Sequence, residues 1–195
     1  MPRLIAVDLG AHSVKVTVMQ TGGKQTDVEG RFVEQVPVEG TGLPTLAARV
    51  ATLNSMVNKH PEWRSTGNTV AVAWADVTTR TVSLPFVSKS DIDESLFFEV
   101  EALVPFDLEE MTMGYKVLKE DDGAELMVSL VETSALESLI AEMSAIQLNP
   151  KHVWNAGDVL AAYRRAGEVV VVMNVGHSQT TVSIIQNATT MSCRS

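Results

Sequence analysis

Two short segments hold the residues with the clearest chemical potential: Val7-Asp8-Leu9-Gly10-Ala11-His12-Ser13 near the start, and Met173-Asn174-Val175-Gly176-His177-Ser178 near the end. Asp8 and Asn174 are 166 residues apart (174 − 8), and the same interval separates Gly10 from Gly176 and Val16 from Val182. Each copy lies between two β-rich runs, so each reads as strand-turn-strand with Gly in the turn. Backbone N–H groups at such turns cradle phosphate oxygens, and the hydroxyls of Ser13 and Ser178 would add donors. In a working phosphate site Asp8 would hold water in a Mg²⁺ shell, which needs only one or two carboxylates besides phosphate. Asn174 adds no second negative charge and cannot serve as a base toward a hydrolytic water. The pattern therefore favours binding without efficient hydrolysis. Lys15 either offsets phosphate charge or, on a strand of alternating Val residues, is simply solvated. The bland alternative for both motifs is ordinary Asp-x-Gly turn chemistry.

His12 and His177 sit in the two turns, one residue out of register. With no Cys or acidic cluster beside them they read as solvent-facing loop residues rather than metal ligands. No Ser-His-Asp or Cys-His nucleophile arrangement is legible, and the single Cys193 has no evident catalytic partner.

The elements that must position these turns follow from periodicity. Leu4 to Leu9 and Ser13 to Met19 read as paired strands, and Thr21-Gly22-Gly23-Lys24 as a hairpin turn toward a third strand near Gly30 to Val38. Leu46, Val50, Leu53 and Val57 mark one face of a helix that starts near Pro44 and is stopped by Pro61. Strands at Thr69 to Trp74 and Thr78 to Leu84 follow. The next helix is N-capped by Ser90, has Asp91, Asp93 and Glu94 in its first turn, buries Ile92, Leu96, Val100 and Leu103, and stops at Pro105. Its acids read as a solvated face rather than as catalytic pairs, and Phe97, Phe98 and Phe106 as core or as the lining of a partner groove. Strands at Tyr115 to Leu118 and Leu126 to Val131 flank the turn Asp121-Asp122-Gly123. A capping box, Ser134 to Glu137, opens a helix burying Leu136, Ile140, Met143 and Ile146. A helix at 157–166, closed by Gly167, leads to the second hairpin at Val169 to Val175 and Thr180 to Ile185. Thr189 to Ser195 begins a further strand, which reads as a fragment of a longer protein because an unfinished sheet leaves an unpaired edge.

The chain has 195 residues, 45% hydrophobic and 20% charged, enough for a real core. A net charge of −9 argues against nucleic acid or anionic lipid as a partner and favours a basic or amphipathic protein surface. One Cys permits no internal disulfide, and the opening residues are too short an apolar stretch for a signal peptide, which points to the cytoplasm. The longest aliphatic run, Val169 to Met173, is far short of the ~20 residues of a membrane span, so any membrane association would come through a partner or through sequence beyond Ser195.

Taken together, Ile5 to Lys15 and the insert stretch Ile92-Asp93-Glu94 with Phe98 to Glu110 resemble the PilM family of type IV pilus assembly proteins. They are also similar to the cytoplasmic part of GspL, the type II secretion platform protein; both families are relatives of FtsA. The resemblance implies an α/β fold with mixed sheets: an actin-like, ribonuclease H-like core, an inserted FtsA-type 1C-like α-β-β-α subdomain, and an incomplete C-terminal lobe. The implied division is 1–84 with 150–167 as the first lobe, 85–149 as the insert, and 168–195 as the start of the second lobe. There are departures. No acidic pair stands near Trp154 and Ala156, Gly157-Asp158-Val159 looks more like GspL, and Asn174 replaces the second phosphate-turn Asp.

By that resemblance the chain is a scaffold rather than an enzyme, at the inner face of the bacterial inner membrane. It would bind a PilN-like peptide, in a groove between the core lobe and the insert, or a GspE-like secretion ATPase. ATP with Mg²⁺ would be held weakly, or not at all, by Asp8, Gly10, His12, Ser13, Lys15, Asn174, Gly176, His177 and Ser178. The alternatives are an ATPase of the actin and sugar-kinase superfamily, and an FtsA-like filament protein whose open sheet edge suits self-association, as a homodimer or longer.

Overall fold

The computed structural model describes residues 2–21, 26–38, 42–162 and 167–194. Along them run β1 (Arg3–Leu9), β2 (Ser13–Thr21), β3 (Thr26–Gln35), α1 (Leu46–Lys59), β4 (Thr69–Trp74), β5 (Thr78–Leu84), α2 (Lys89–Glu101), β6 (Met111–Glu120) and β7 (Ala124–Glu132). Then come α3 (Thr133–Ala145), β8 (Pro150–Asn155), α4 (Ala156–Val159), β9 (Val169–Val175), β10 (Thr180–Gln186) and β11 (Thr189–Arg194). The residues group into two compact units. The first comprises Met1–Trp74, Glu137–Trp154 and Gly176–Gln179; the second comprises Ala75–Leu136, Asn155–Val175 and Thr180–Ser195.

The first unit is built on the five-stranded sheet β3-β2-β1-β4-β8, with β1 at its centre. β1 pairs antiparallel with β2 and parallel with β4, so its backbone groups are satisfied on both edges. Alternation sends Ile5, Val7 and Leu9 inward with Val14, Val16 and Val18 of β2 and Val70, Val72 and Trp74 of β4. Helix α1 packs on β2 and β3 and buries Val50, Leu53, Met56 and Val57. Its N-terminus is capped by Thr45, whose hydroxyl accepts from Ala48 N at 3.2 Å. A 3-10 turn, Pro61–Arg64, then buries Trp63, stacked on His60 at 4.6 Å between ring centroids. Buried Asn68 donates to the carbonyls of Glu62 and Trp63 and accepts from Arg3 N, which ties this turn to the start of β1.

The second unit contains two three-stranded antiparallel sheets, β5-β7-β6 and β11-β10-β9. Central β7 is buried through Ala124, Leu126, Met127, Val128 and Leu130, and Ile92, Leu96 and Val100 of α2 join its core. Short α4 is tied to the second sheet by Ser183 Oγ, which donates to Gly157 O at 3.0 Å. Thr79 of β5 donates to the carbonyl of Cys193, and Arg194 returns a bond to Thr79 O at 2.8 Å.

Several sequence expectations are corrected here. β8 was not foreseen: Pro150 followed by exposed Lys151, His152, Val153 and Trp154 lacks the buried alternation that marks a strand. Ser134 is not an N-cap, because α3 already starts at Thr133 and the Ser134 hydroxyl donates to the Glu132 carboxylate. Helix α3 buries Met143 as expected, but Leu139 takes the buried place expected for Ile140, which is exposed, and Leu136 and Ile146 are half-buried. The cap of α2 is Ser88 rather than Ser90, so of the three acids only Asp91 falls in the first turn. The helix expected at 157–166 is instead α4 plus a 3-10 turn, Leu160–Ala162. Its remainder at 163–166 lies outside the described residues, as does the turn at Gly22-Gly23-Lys24.

Candidate functional site

Asp8 and Lys15 are cross-strand partners in the β1–β2 register. Lys15 Nζ donates to Asp8 Oδ2 at 2.8 Å, with both side chains about half exposed (51% and 48%). The carboxylate expected to organise Mg²⁺ water and the amine expected to offset phosphate charge are therefore engaged with each other. Exposed pairs of this kind contribute about 0–1 kcal/mol, so a ligand could displace the contact at small cost.

Gly10 owes its place to crowding rather than to an unusual backbone angle: a Cβ there would lie 2.8 Å from Ser13 O. Gly176 repeats the arrangement, with a Cβ 2.9 Å from Gln179 O. In both turns glycine faces the carbonyl three residues ahead. The 166-residue sequence repeat thus extends to the turn geometry. The Gly176 N–H, however, donates to Gln179 O at 2.9 Å, so in this conformation it is not directed at a ligand.

His12 and His177 are both exposed and their rings stack, with centroids 5.2 Å apart and planes 30° from parallel. The carbonyl of His12 accepts from Val36 N at 2.9 Å, which fixes the first turn against the segment after β3. Asp8, Gly10, His12, Ser13, Lys15, Gly176, His177 and Ser178 belong to the first unit; Asn174, on β9 opposite Thr181, belongs to the second.

Arg49 was not singled out by sequence. Its Nε donates to Pro44 O at 3.2 Å and its Nη1 approaches Leu9 O at 3.5 Å, bringing a guanidinium to the end of β1 beside Gly10. Only its place next to Val50, on the edge of the buried side of α1, hints at this. As a test of fit for Mg-ATP, the first turn offers a Cβ-free cradle, one carboxylate and two cations. The second offers a matching cradle with a neutral amide in place of the carboxylate. No group of three or more His, Cys, Asp or Glu gathers as a metal site among the described residues. Cys193 is buried, and burial pushes its thiol above the usual value against the opposing bond with Ser183, which keeps it protonated and unreactive at neutral pH.

The sequence pattern of the family described as type IV pilus assembly protein PilM matches residues 6–195. Among solved structures, the chain is similar to the PilM-PilN type IV pilus biogenesis complex at a TM-score of 0.78 and 15% identity, covering 98% of this chain and 60% of that one. It is also similar to the cytoplasmic domain of EpsL, an inner membrane component of the type II secretion system of Vibrio cholerae. That match has a TM-score of 0.66 and 16% identity, and covers 97% of this chain and 70% of that one. The mixed α/β fold expected from the sequence is the fold observed, and it is shared with these two structures. The chain spans 60% of the length of the pilus relative.

Proposed function

The chain belongs to the family of the type IV pilus assembly protein PilM, and on that premise we propose that it is a non-catalytic scaffold in a type IV pilus or type II secretion assembly platform. In this reading it works at the cytoplasmic face of the inner membrane, and its role is to hold a platform partner, a PilN-like peptide or a GspE-like ATPase. The observation that carries the scaffold over the enzyme is the asymmetry of the two glycine turns. One turn has Asp8, already paired with Lys15; the other has Asn174 and a Gly176 N–H turned back on its own loop. Phosphoryl transfer depends on positioned charge around the phosphates and the attacking water. A single carboxylate and no second acid leave that charge incomplete.

The retained glycine cradles and the cations Lys15 and Arg49 favour a residual nucleotide site, in which ATP would act as a weak ligand. The assignment is tested by following phosphate release from Mg-ATP, together with calorimetric titration of a PilN-like N-terminal peptide, with and without nucleotide. Peptide binding with no turnover above background is the expected result. Turnover that disappears in Asp8→Ala would overturn the scaffold reading and restore the ATPase alternative.

A further inference from the structure

Helix α2 presents a surface that the phosphate turns do not use. Ile92, Leu96 and Val100 point into the core of the second unit. At 100° per residue, Phe98 lies on the opposite side, with Glu94 one turn before it and Glu101 one turn after. Phe98 is 70% exposed, more than any other Phe or Trp among the described residues. Its ring stands edge-on to Phe97, with centroids 5.8 Å apart and planes at 82°, and Phe97 packs against the core. The exposed ring thus has an aromatic neighbour that is itself packed on the core. Leu103 and Phe106 are also exposed in the segment that follows α2.

Acids predominate along this stretch, although Arg80 of β5 donates to Leu103 O at 3.2 Å just beyond the helix. Between positions 89 and 110 the only Lys or Arg is Lys89, and it is engaged with Asp93 at 2.6 Å. Asp93 also accepts from Tyr115 Oη at 2.8 Å. Asp91, Glu94, Glu99 and Glu101 have no ion-pair partner among the described residues, so their charge is available to a ligand.

We propose that the outward side of α2, centred on Phe98, docks a basic amphipathic helix of a partner protein. An apolar stripe on that helix covers the Phe98 ring, and Lys or Arg residues flanking the stripe meet Glu94 and Glu101. The 3- and 4-residue spacing of Glu94, Phe98 and Glu101 matches the spacing of neighbours on a facing helix. An exposed aromatic ring supplies the centre that such an interface desolvates, and the surrounding acids set orientation and association rate. The same acids disfavour nucleic acid and anionic lipid. This proposal rests on the scaffold reading and adds to it a surface and the chemistry of its partner.

The test uses the full chain and a fluorescent designed helix of about 18 residues, long enough to be helical, with Leu at i, i+3, i+4 and i+7 and Lys or Arg elsewhere. One control peptide scrambles that order; another replaces the basic residues by Glu. Anisotropy should show the designed helix binding at least about tenfold tighter than its scramble. Phe98→Ser should remove most of that advantage, and the double reversal Glu94→Lys with Glu101→Lys should transfer preference to the acidic peptide. Thermal melts of both variants should match the parent, since the altered side chains are exposed. Equal binding of the scramble, or full binding by Phe98→Ser, would overturn the proposal, as would no binding at all. If the α2 surface fails while ATP turnover is also absent, the scaffold reading survives; turnover dependent on Asp8 would remove the scaffold reading whatever the peptide does.

Discussion

Ile5 and Val171 occupy the same place in two copies of one hairpin, yet Ile5 is 0% exposed and Val171 is 63% exposed. The contrast continues along the strands: Val7 and Leu9 are buried, whereas their counterparts Met173 and Val175 are 64% and 73% exposed. The backbones are alike, each an antiparallel pair joined by a turn in which glycine faces the carbonyl three residues on. What differs is the company. β1 is the central strand of five, paired on both edges, whereas β9 is the edge of three. A hairpin is specified by its own residues, but the stabilisation from its apolar face comes only from layers supplied elsewhere.

The largest expected effect tests that difference directly. Ile5→Ala should destabilise the chain by about 2–5 kcal/mol, whereas Val171→Ala should stay within about 0.5 kcal/mol, both measured by urea unfolding. Similar costs at the two sites would mean that the face of β9 is covered in solution. Next come the turns. Gly10→Ala and Gly176→Ala should each cost about 1–3 kcal/mol, because the added methyl meets a backbone carbonyl closer than contact distance and the turn backbone must shift to admit it. If only one is costly, the geometric equivalence of the two copies is lost.

A smaller effect concerns the turn after β10. Asn187 and Ala188 both have positive φ, 51° and 63°, the conformation in which Ala is strained and Gly is not. Ala188→Gly should raise stability by about 0.5–1 kcal/mol in a thermal melt; a loss would show that the left-handed turn is not kept in solution. The smallest is the Asp8–Lys15 pair, for which a double-mutant cycle with Asp8→Asn and Lys15→Met should give a coupling of about 0.2–1 kcal/mol that fades with salt. A coupling far above this would make the pair structural and unavailable to a nucleotide.

The opening β1–β2–β3 meander, the α1 face and the repeat were legible because each is written in a local pattern: alternation in Val14, Val16 and Val18, helical spacing in Val50, Leu53 and Val57. The place of β4 beside β1 was not, because that parallel pairing joins residues far apart in the chain. The α2 core face was legible in its local pattern at Ile92, Leu96 and Val100 but not at Leu103, which is exposed because the helix ends at Glu101, before it. β8 was not, since its side chains from Lys151 to Trp154 are exposed and give no inward signal. The α3 face was misread because Leu136, Leu139, Ile140 and Met143 are all apolar, and the choice among them is made by what packs against the helix.

The sequence by itself determined the duplicated hairpin, the absence of a second acid at Asn174 and the family to which the chain belongs, since each is written in residue identity and spacing. Only the tertiary structure decided that Asp8 is held by Lys15, that Arg49 reaches the carbonyl of Leu9, that His12 stacks on His177 and that Phe98 stands outward among unpaired acids. Those outcomes depend on strand register and on which face of each element finds a partner, and both are set by contacts between residues far apart in the chain.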